Sequence, residues 1–323
     1  MKSSFRGLLA SVGVWAVFSG AMPVRAEDLC LIPWPQSVEM GAGDLALVAT
    51  GRIIPKEPVL MPLAEVFAGE FKAVSGVVLP VCAGWLTANA PAAATEGPGD
   101  IVLTLDPKQA PGGYLLTVTD RVLVQGCDYK GAGAGTATLL QALKVKDRGA
   151  VTLPRMKIRD FPQADYCGVM LDVTRRDYPI DQIRQALTLC RFYKIRYLQL
   201  HLTDNEAWTF PSTRYPSLGT RNASAAEGEK PARRYTLAEL KELVAYASTL
   251  GVTLVPEIAL PGRSGALTRT LPEVFGPDIG MVNIAREAVY PVLDTLLAEV
   301  ADVFASSPYL HIGGVGADFT KWA

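Results

Sequence analysis

Four apolar runs in the second half of the chain each lead into polar side chains that could do acid–base or hydrogen-bonding chemistry. Gly168-Val169-Met170-Leu171-Asp172-Val173 runs on to Arg175, and Ile195 to His201 runs on to Asp204, Asn205 and Trp208. Val252-Thr253-Leu254-Val255-Pro256-Glu257 precedes Arg263, and Tyr309 to Gly314 carries His311 and precedes Val315, Gly316 and Asp318. Carboxylates beside a histidine are the usual equipment of proton transfer, and guanidinium donors suit a vicinal diol. Polar groups just past the carboxyl end of a buried parallel strand are where α/β barrels place their chemistry. Bland readings stand beside these. Arg175 is otherwise a surface arginine and Arg176 a solvated one. His201 is otherwise a packed, hydrogen-bonded strand residue, and Trp208 a filler of the barrel mouth.

The elements that must position these residues alternate strand, helix, strand, helix, the mark of a parallel α/β sheet. The run from Gly168 to Val173 is apolar throughout and is expected to be buried on both faces. Helices are expected over Ile180 to Tyr193, Thr236 to Leu250 and Glu287 to Phe304. Thr236 caps the second of these, with Glu239 three residues on as its capping-box partner. The first half reads differently. Val59 to Val74 has helical spacing and Ile101 to Leu105 is a strand. Tyr114 to Val118 pairs with Val122 to Val124 as a hairpin across Thr119-Asp120-Arg121. Gly131-Ala132-Gly133-Ala134-Gly135 reads as a glycine-rich turn opening a helix. As a phosphate cradle it lacks the lysine and hydroxyl that should follow, so close helix-to-sheet packing is the better account.

With 31 basic and 32 acidic residues, the chain has no net field to favour nucleic acid. Hydrophobic residues make up 49% of its 323 positions, ample for a core, and the length fits two domains. Lys2 and Arg6, the apolar run Gly7 to Gly20, and Val24-Arg25-Ala26 form a signal-peptide pattern. Cleavage after Ala26 and export, to a periplasm, the outside or an equivalent compartment, are expected. The apolar run is too short for a comfortable membrane anchor. Five cysteines (Cys30, Cys82, Cys127, Cys167, Cys190) match no zinc spacing, and their odd number leaves at least one unpaired. Cys167 and Cys190 are expected to be small buried thiols. No metal, cofactor or cysteine nucleophile is expected.

The stretch Tyr309 to Trp322 resembles the catalytic strand of the glycoside hydrolase family 20 β-N-acetylhexosaminidases, His-x-Gly-Gly-Asp-Glu-Val-(Asp/Asn)-Phe-x-x-Trp. His311, Gly313, Gly314, Asp318, Phe319 and Trp322 fall on that frame, while Val315 and Gly316 stand where the Asp-Glu pair belongs. His201 to Trp208 is similar to the family's His-x-x-Asp-Asp-x-x-Trp, with Asn205 at the second aspartate. Pro256 to Arg263 is similar to Pro-Glu-x-x-x-Pro-Gly-His, with Arg263 at the histidine. Gly131 to Leu143 resembles a helix of the small domain preceding the barrel, and Ile158-Arg159-Asp160-Phe161-Pro162 the linker into it. Together these cover nearly all of the mature chain.

With the signal peptide over 1–26, the resemblance implies an α+β domain over 27–161 and the first half of a (β/α)8 barrel, about four β/α units, over 162–323. It implies that Arg175 binds hydroxyls of a terminal N-acetylhexosamine, that Asp204 and Trp208 are further contacts, and that His201, Glu257, His311 and Asp318 support the site. In the family the substrate's acetamido oxygen attacks the anomeric carbon. An aspartate orients that group, and a glutamic acid, linked through a histidine to a second aspartate, protonates the leaving oxygen. Valine and glycine supply neither carboxyl, and arginine keeps its proton at neutral pH. The expectation is therefore a degenerate, C-terminally truncated member of an enzyme family that releases terminal β-linked N-acetylglucosamine or N-acetylgalactosamine from glycans. It is inactive as it stands. Alternatives are a carbohydrate-binding pseudoenzyme and a non-functional fragment. An open barrel edge is also expected to invite self-association.

Overall fold

The structure is a computed structural model of the chain; it describes residues 29–47, 50–85, 94–145, 150–222, 228, 230–276, 280–318 and 320. The signal segment with its cleavage point, and Phe319 and Trp322, lie outside the described residues. No helix among the described residues is long and apolar enough to cross a membrane.

The first domain runs β1 (Ser37–Leu47), β2 (Ile53–Pro55), α1 (Met61–Ser75), β3 (Ile101–Leu105), β4 (Tyr114–Val118), β5 (Val122–Gly126), α2 (Tyr129–Ala142), β6 (Lys144–Val145) and β7 (Val151–Asp160). Its seven-stranded sheet has the order β1-β7-β4-β5-β3-β2, with β6 on β7. The hairpin of β4 and β5 alternates buried and half-buried residues along both strands, as a sheet with one covered face requires. Helix α1 buries Leu63, Phe67 and Phe71 on one stripe and stops at Gly76, whose φ of 74° closes a left-handed cap. Asp128 caps α2 by accepting the Gly131 N–H at 2.8 Å. The glycines expected in a turn before this helix sit inside it instead. A Cβ on Gly131 would lie 2.3 Å from the Gly113 carbonyl oxygen, and one on Gly135 2.6 Å from Val124 Cγ1. They are glycines because the helix axis lies that close to the sheet.

The second domain runs β8 (Gly168–Asp172), α3 (Ile180–Phe192), β9 (Tyr197–His201), α4 (Leu237–Thr249), β10 (Thr253–Leu260), α5 (Gly265–Thr270), α6 (Pro272–Phe275), α7 (Tyr290–Val303) and β11 (His311–Gly313). The strands form a four-stranded parallel sheet in the order β11-β10-β9-β8. Both halves of the Thr236–Glu239 capping box are made. Register places Asp172, His201, Glu257 and His311 side by side in one cross-strand row, on the same face of four neighbouring strands. Leu198, Leu200 and Leu254 point to the opposite face and pack with the helices.

Two expectations about burial fail. Strand β8 is not buried on both faces: Val169 is 42% and Met170 58% exposed. It is the last strand of an open sheet, so one flank and much of each face lack neighbours. Cys167, just before it, is exposed for the same reason, whereas Cys190 in α3 is buried; all five cysteines are free thiols. The domains meet where α3 faces α1 and α2: the buried Arg191 guanidinium bonds Glu70 of α1 through Nε and Nη2, each at 2.8 Å, and donates to the Gly133 carbonyl and Thr136 hydroxyl of α2.

Candidate functional site

The cross-strand row and the loops that follow it enclose a cleft of about 270 Å³ at the carboxyl end of the parallel sheet. Asp172 ends β8 and fixes the next turn, accepting the Thr174 N–H at 2.9 Å and its hydroxyl at 2.6 Å. That turn aims Arg175 across the sheet. Its Nε donates to Asp172 at 2.7 Å, Nη2 to Asp204 Oδ2 at 2.8 Å and Nη1 to Glu206 at 3.1 Å.

His201 lies between two carboxylates, with Nε2 2.9 Å from Asp204 Oδ2 and Nδ1 3.1 Å from Glu257 Oε1. Both ring nitrogens face acceptors, so both carry protons and the ring is an imidazolium. Burial pushes its pKa down, but the bonds to Asp204 and Glu257 outweigh that and hold it up at about 9. The carboxylates shift the other way. Desolvation opposes ionisation of Asp204 and Glu257, yet the His201 bond, with the Asn205 N–H for Asp204 and the Gln199 amide for Glu257, holds both below the usual range. Gln199 Nε2 reaches Glu257 Oε2 at 2.5 Å. These are permanently charged groups at neutral pH, fixed by each other.

Arg263 joins the same atom: its Nη1 lies 3.3 Å from Asp204 Oδ2. Three cationic groups therefore converge on one oxygen of a carboxylate that is only 1% exposed. Arg263 has a φ of 54°, a left-handed conformation uncommon for a residue with a side chain. Opposite it, Gly313, Gly314 and Gly316 have φ of 77°, 101° and 73°. This loop folds against β10's exit so closely that a Cβ on Gly262 would be 2.5 Å from the Val315 carbonyl oxygen.

The expected site residues are thus divided. Arg175, His201, Glu257, Arg263 and Val315 line the cleft, with Asp204 beneath. His311 stands beside Glu257, its Nδ1 3.4 Å from Oε1 and accepting the Gly313 N–H at 3.1 Å. Gly316 packs near the Arg263 side chain. Asp318 is exposed and accepts from the Thr320 N–H and hydroxyl; it is not one of the residues lining the cleft. Trp208 is 1% exposed and packs in the hydrophobic core, which removes it as a surface for a ligand. The Asn222 side chain holds the Trp208 backbone, accepting its N–H at 2.8 Å and donating to its carbonyl at 3.0 Å. Asn205 has a role that its residue type hints at but its motif does not. Its Oδ1 accepts the Gly265 N–H at 3.0 Å and so anchors the start of α5.

Asp172, His201 and Asp204 bring one possible metal-ligand atom each within 4.8 Å of one another. Arg175 bonds both carboxylates and His201 carries protons on both nitrogens, so a guanidinium and an imidazolium occupy the positions a cation would need. Chemically, the cleft offers fixed hydrogen-bond donors and ionised carboxylates. Among the described lining residues it offers no carboxyl group poised to give up a proton.

Two family models match the chain. The catalytic domain of glycosyl hydrolase family 20 matches residues 165–323, and its domain 2 matches residues 28–161. The chain is 31% identical to a beta-hexosaminidase of Vibrio furnissii over 67% of its own length and 39% of the relative's. With a beta-N-acetylhexosaminidase of Cellulomonas fimi the identity is 26%, over 89% of this chain and 59% of the relative. The structure of the family 20 β-N-acetylhexosaminidase of Streptomyces coelicolor superposes with a TM-score of 0.79 at 25% identity, over 92% of this chain and 61% of that one. A Vibrio harveyi exo-β-N-acetylglucosaminidase, solved with N-acetylglucosamine, shares the fold with a TM-score of 0.77 at 23% identity, over 89% and 47% of the two chains. The chain thus spans 39% to 59% of the curated relatives compared above.

Proposed function

The chain belongs to glycosyl hydrolase family 20, and we propose that it is a hexosaminidase-type protein that keeps the family's supporting ionic lattice but has lost its reacting groups. The observation that carries this is the Arg263–Asp204 contact of 3.3 Å. Resemblance puts a relay histidine at that place, between the buried aspartate and the acid. A guanidinium can hold the aspartate's charge but cannot pass a proton on. Val315 and Gly316, at the places of the orienting aspartate and the acid, supply neither an acceptor for an acetamido N–H nor a proton for a leaving oxygen. Loss of general acid catalysis alone typically removes roughly 10²–10⁴-fold in rate. Purified chain should release no aryl alcohol from an aryl N-acetyl-β-glucosaminide above the uncatalysed rate. Release at rates ordinary for a glycosidase would sink the proposal.

A second reading, binding of an N-acetylhexosamine-bearing glycan without turnover, is supported by Arg175, which lines the cleft. Isothermal titration with N-acetylglucosamine decides it: a heat that disappears in Arg175→Ala supports binding, and identical traces remove it. Export is part of the same proposal and rests on the amino-terminal charge and hydropathy pattern.

A further inference from the structure

At the other end of the parallel strands, beneath the amino termini of β8, β9 and β10, the two domains enclose a second cavity of about 320 Å³. Four cations line it, Lys130, Arg191, Lys194 and Arg196, against one carboxylate, Asp160. Two of the four are neutralised: Lys194 pairs with Asp160 at 3.2 Å and Arg191 with Glu70 at 2.8 Å. The other two are not. Lys130 Nζ donates to the Thr253 hydroxyl at 2.8 Å, and Arg196 Nη2 donates to the backbone carbonyls of Ala164 and Asp165. Among the described residues neither has a carboxylate within ion-pairing distance.

Their surroundings make that imbalance costly. Both cations lie against the Tyr197 ring, at 5.5 and 5.8 Å from its centroid. The Arg196 Nε is buried without an acceptor. Burial draws the Lys130 ammonium below its ordinary pKa; Asp128 opposes this and Arg196 adds to it. Asp128 is itself committed to capping α2. Partly desolvated like charges facing one space are stabilised by a counter-charge placed in that space. Apart from Gln36 and Gln163, the remaining walls are largely apolar and partly exposed, Trp34 at 51% and Phe161 at 37%. An inorganic ion would leave that surface wet.

We propose that this interdomain cavity binds an organic anion, its carboxylate seated by Lys130 and Arg196 and its apolar body lying along Trp34, Phe161 and Pro162. A cavity of this size accommodates a chain or ring of modest length. The site is independent of the chemistry of the cleft, which opens at the opposite end of the strands.

Cys167 lines the cavity and is exposed, so its alkylation reports occupancy; Cys30, exposed elsewhere, is the internal reference. Octanoate, used below its micelle threshold with the full chain, should give a saturable heat of binding. It should also slow iodoacetamide labelling of Cys167 but not of Cys30. Octanol at equal concentration should do neither. Lys130→Gln, which keeps a donor for Thr253, should weaken octanoate about tenfold, while Lys241→Gln on the exposed face of α4 should leave it unchanged. No saturable heat and no protection, or equal protection by octanol, overturns the proposal. Undiminished binding by a folded Lys130→Gln chain overturns the assignment of the charge. Should that variant fail to fold, the octanoate and octanol arms on the unaltered chain still decide.

Discussion

The two sheets treat their outermost strands in opposite ways. In the first domain, β2 is an edge strand of Ile53, Ile54 and Pro55, all three buried, because the segment after α1 lies along it. Ile53 donates to the Pro80 carbonyl and Cys82 donates back to Ile53, each at 2.9 Å. The other edge, β1, carries Glu39 and Asp44 and is mostly exposed, a composition that discourages further pairing. In the second domain both outer strands expose apolar side chains, Met170 at 58% in β8 and Ile312 at 57% in β11. Val169-Met170-Leu171 is more apolar than Leu198-Gln199-Leu200, yet Leu198 and Leu200 are buried in β9 while Val169 and Met170 are exposed. Neighbours decide a strand's burial; its own hydrophobicity only makes burial desirable.

The largest test of this contrast is whether the domains resist unfolding equally. Limited proteolysis should leave a fragment ending near Asp160 and cut first after Pro162, with β8 and β11 amides exchanging faster than those of β4 and β5. Light scattering should grow with concentration, and Ile312→Lys, a charge on the open edge, should reduce it. A monomer that unfolds as one cooperative unit, with no early cut in the second domain, breaks the comparison.

Next in size is Gly131→Ala, which drives a methyl against the Gly113 carbonyl where the helix has no room to retreat. We expect a loss of about 3 kcal/mol in urea denaturation, confined to the transition of the first domain.

The ionic row gives the second domain a pH dependence near and above neutrality. His201 has its folded pKa raised to about 9, above an unfolded value of about 6.5. Its contribution is therefore fully present below the unfolded pKa and fades as pH rises through the folded one. Between about pH 6.5 and about pH 8.5 that loss amounts to about 2 kcal/mol. Comparing urea midpoints across this window, the unaltered chain should decline and His201→Gln should stay flatter. Equal slopes would remove the imidazolium from the account.

The smallest effect should run the other way. Gly69 sits on the exposed side of α1, with nothing within 4 Å of the place a methyl would take. Gly69→Ala should stabilise the first domain by about 0.5–1 kcal/mol through helix propensity alone, and leave the second unmoved.

Much of this was legible because local signals and tertiary context agree. Thr236 and Glu239 announce a helix start by their own hydrogen-bonding chemistry, and the hairpin at Thr119 to Arg121 announces itself by alternation on either side. The departures from the family motif at Val315, Gly316 and Arg263 could be read from motif spacing. What stayed hidden depends on partners distant in sequence. Strand β1 alternates at Val38 and Met40 and again at Leu45 and Leu47, but Gly41 and Gly43 interrupt the pattern where its register with β7 shifts. Exposure of Met170 and Cys167 follows from their place at the edge of the sheet, which no property of those residues signals. The Trp208 backbone is held by Asn222, fourteen residues on. The convergence of Arg175, His201 and Arg263 on one oxygen requires three strands to be in register, and only the fold supplies that.

The left-handed glycines after β11 limit which side chains this loop accepts. A glutamate placed at position 316 would put a bulky residue on a backbone with φ of 73°, at a cost of roughly 1–2 kcal/mol. The new carboxyl would also meet the Arg263 side chain, whose Cγ is 3.7 Å from where its Cβ would stand. Before it could work, the arginine would have to go and the loop would have to relax. Position 316 and Arg263 are therefore coupled: a long side chain at one fits only when the other gives way, so a substitution at either reports on the pair.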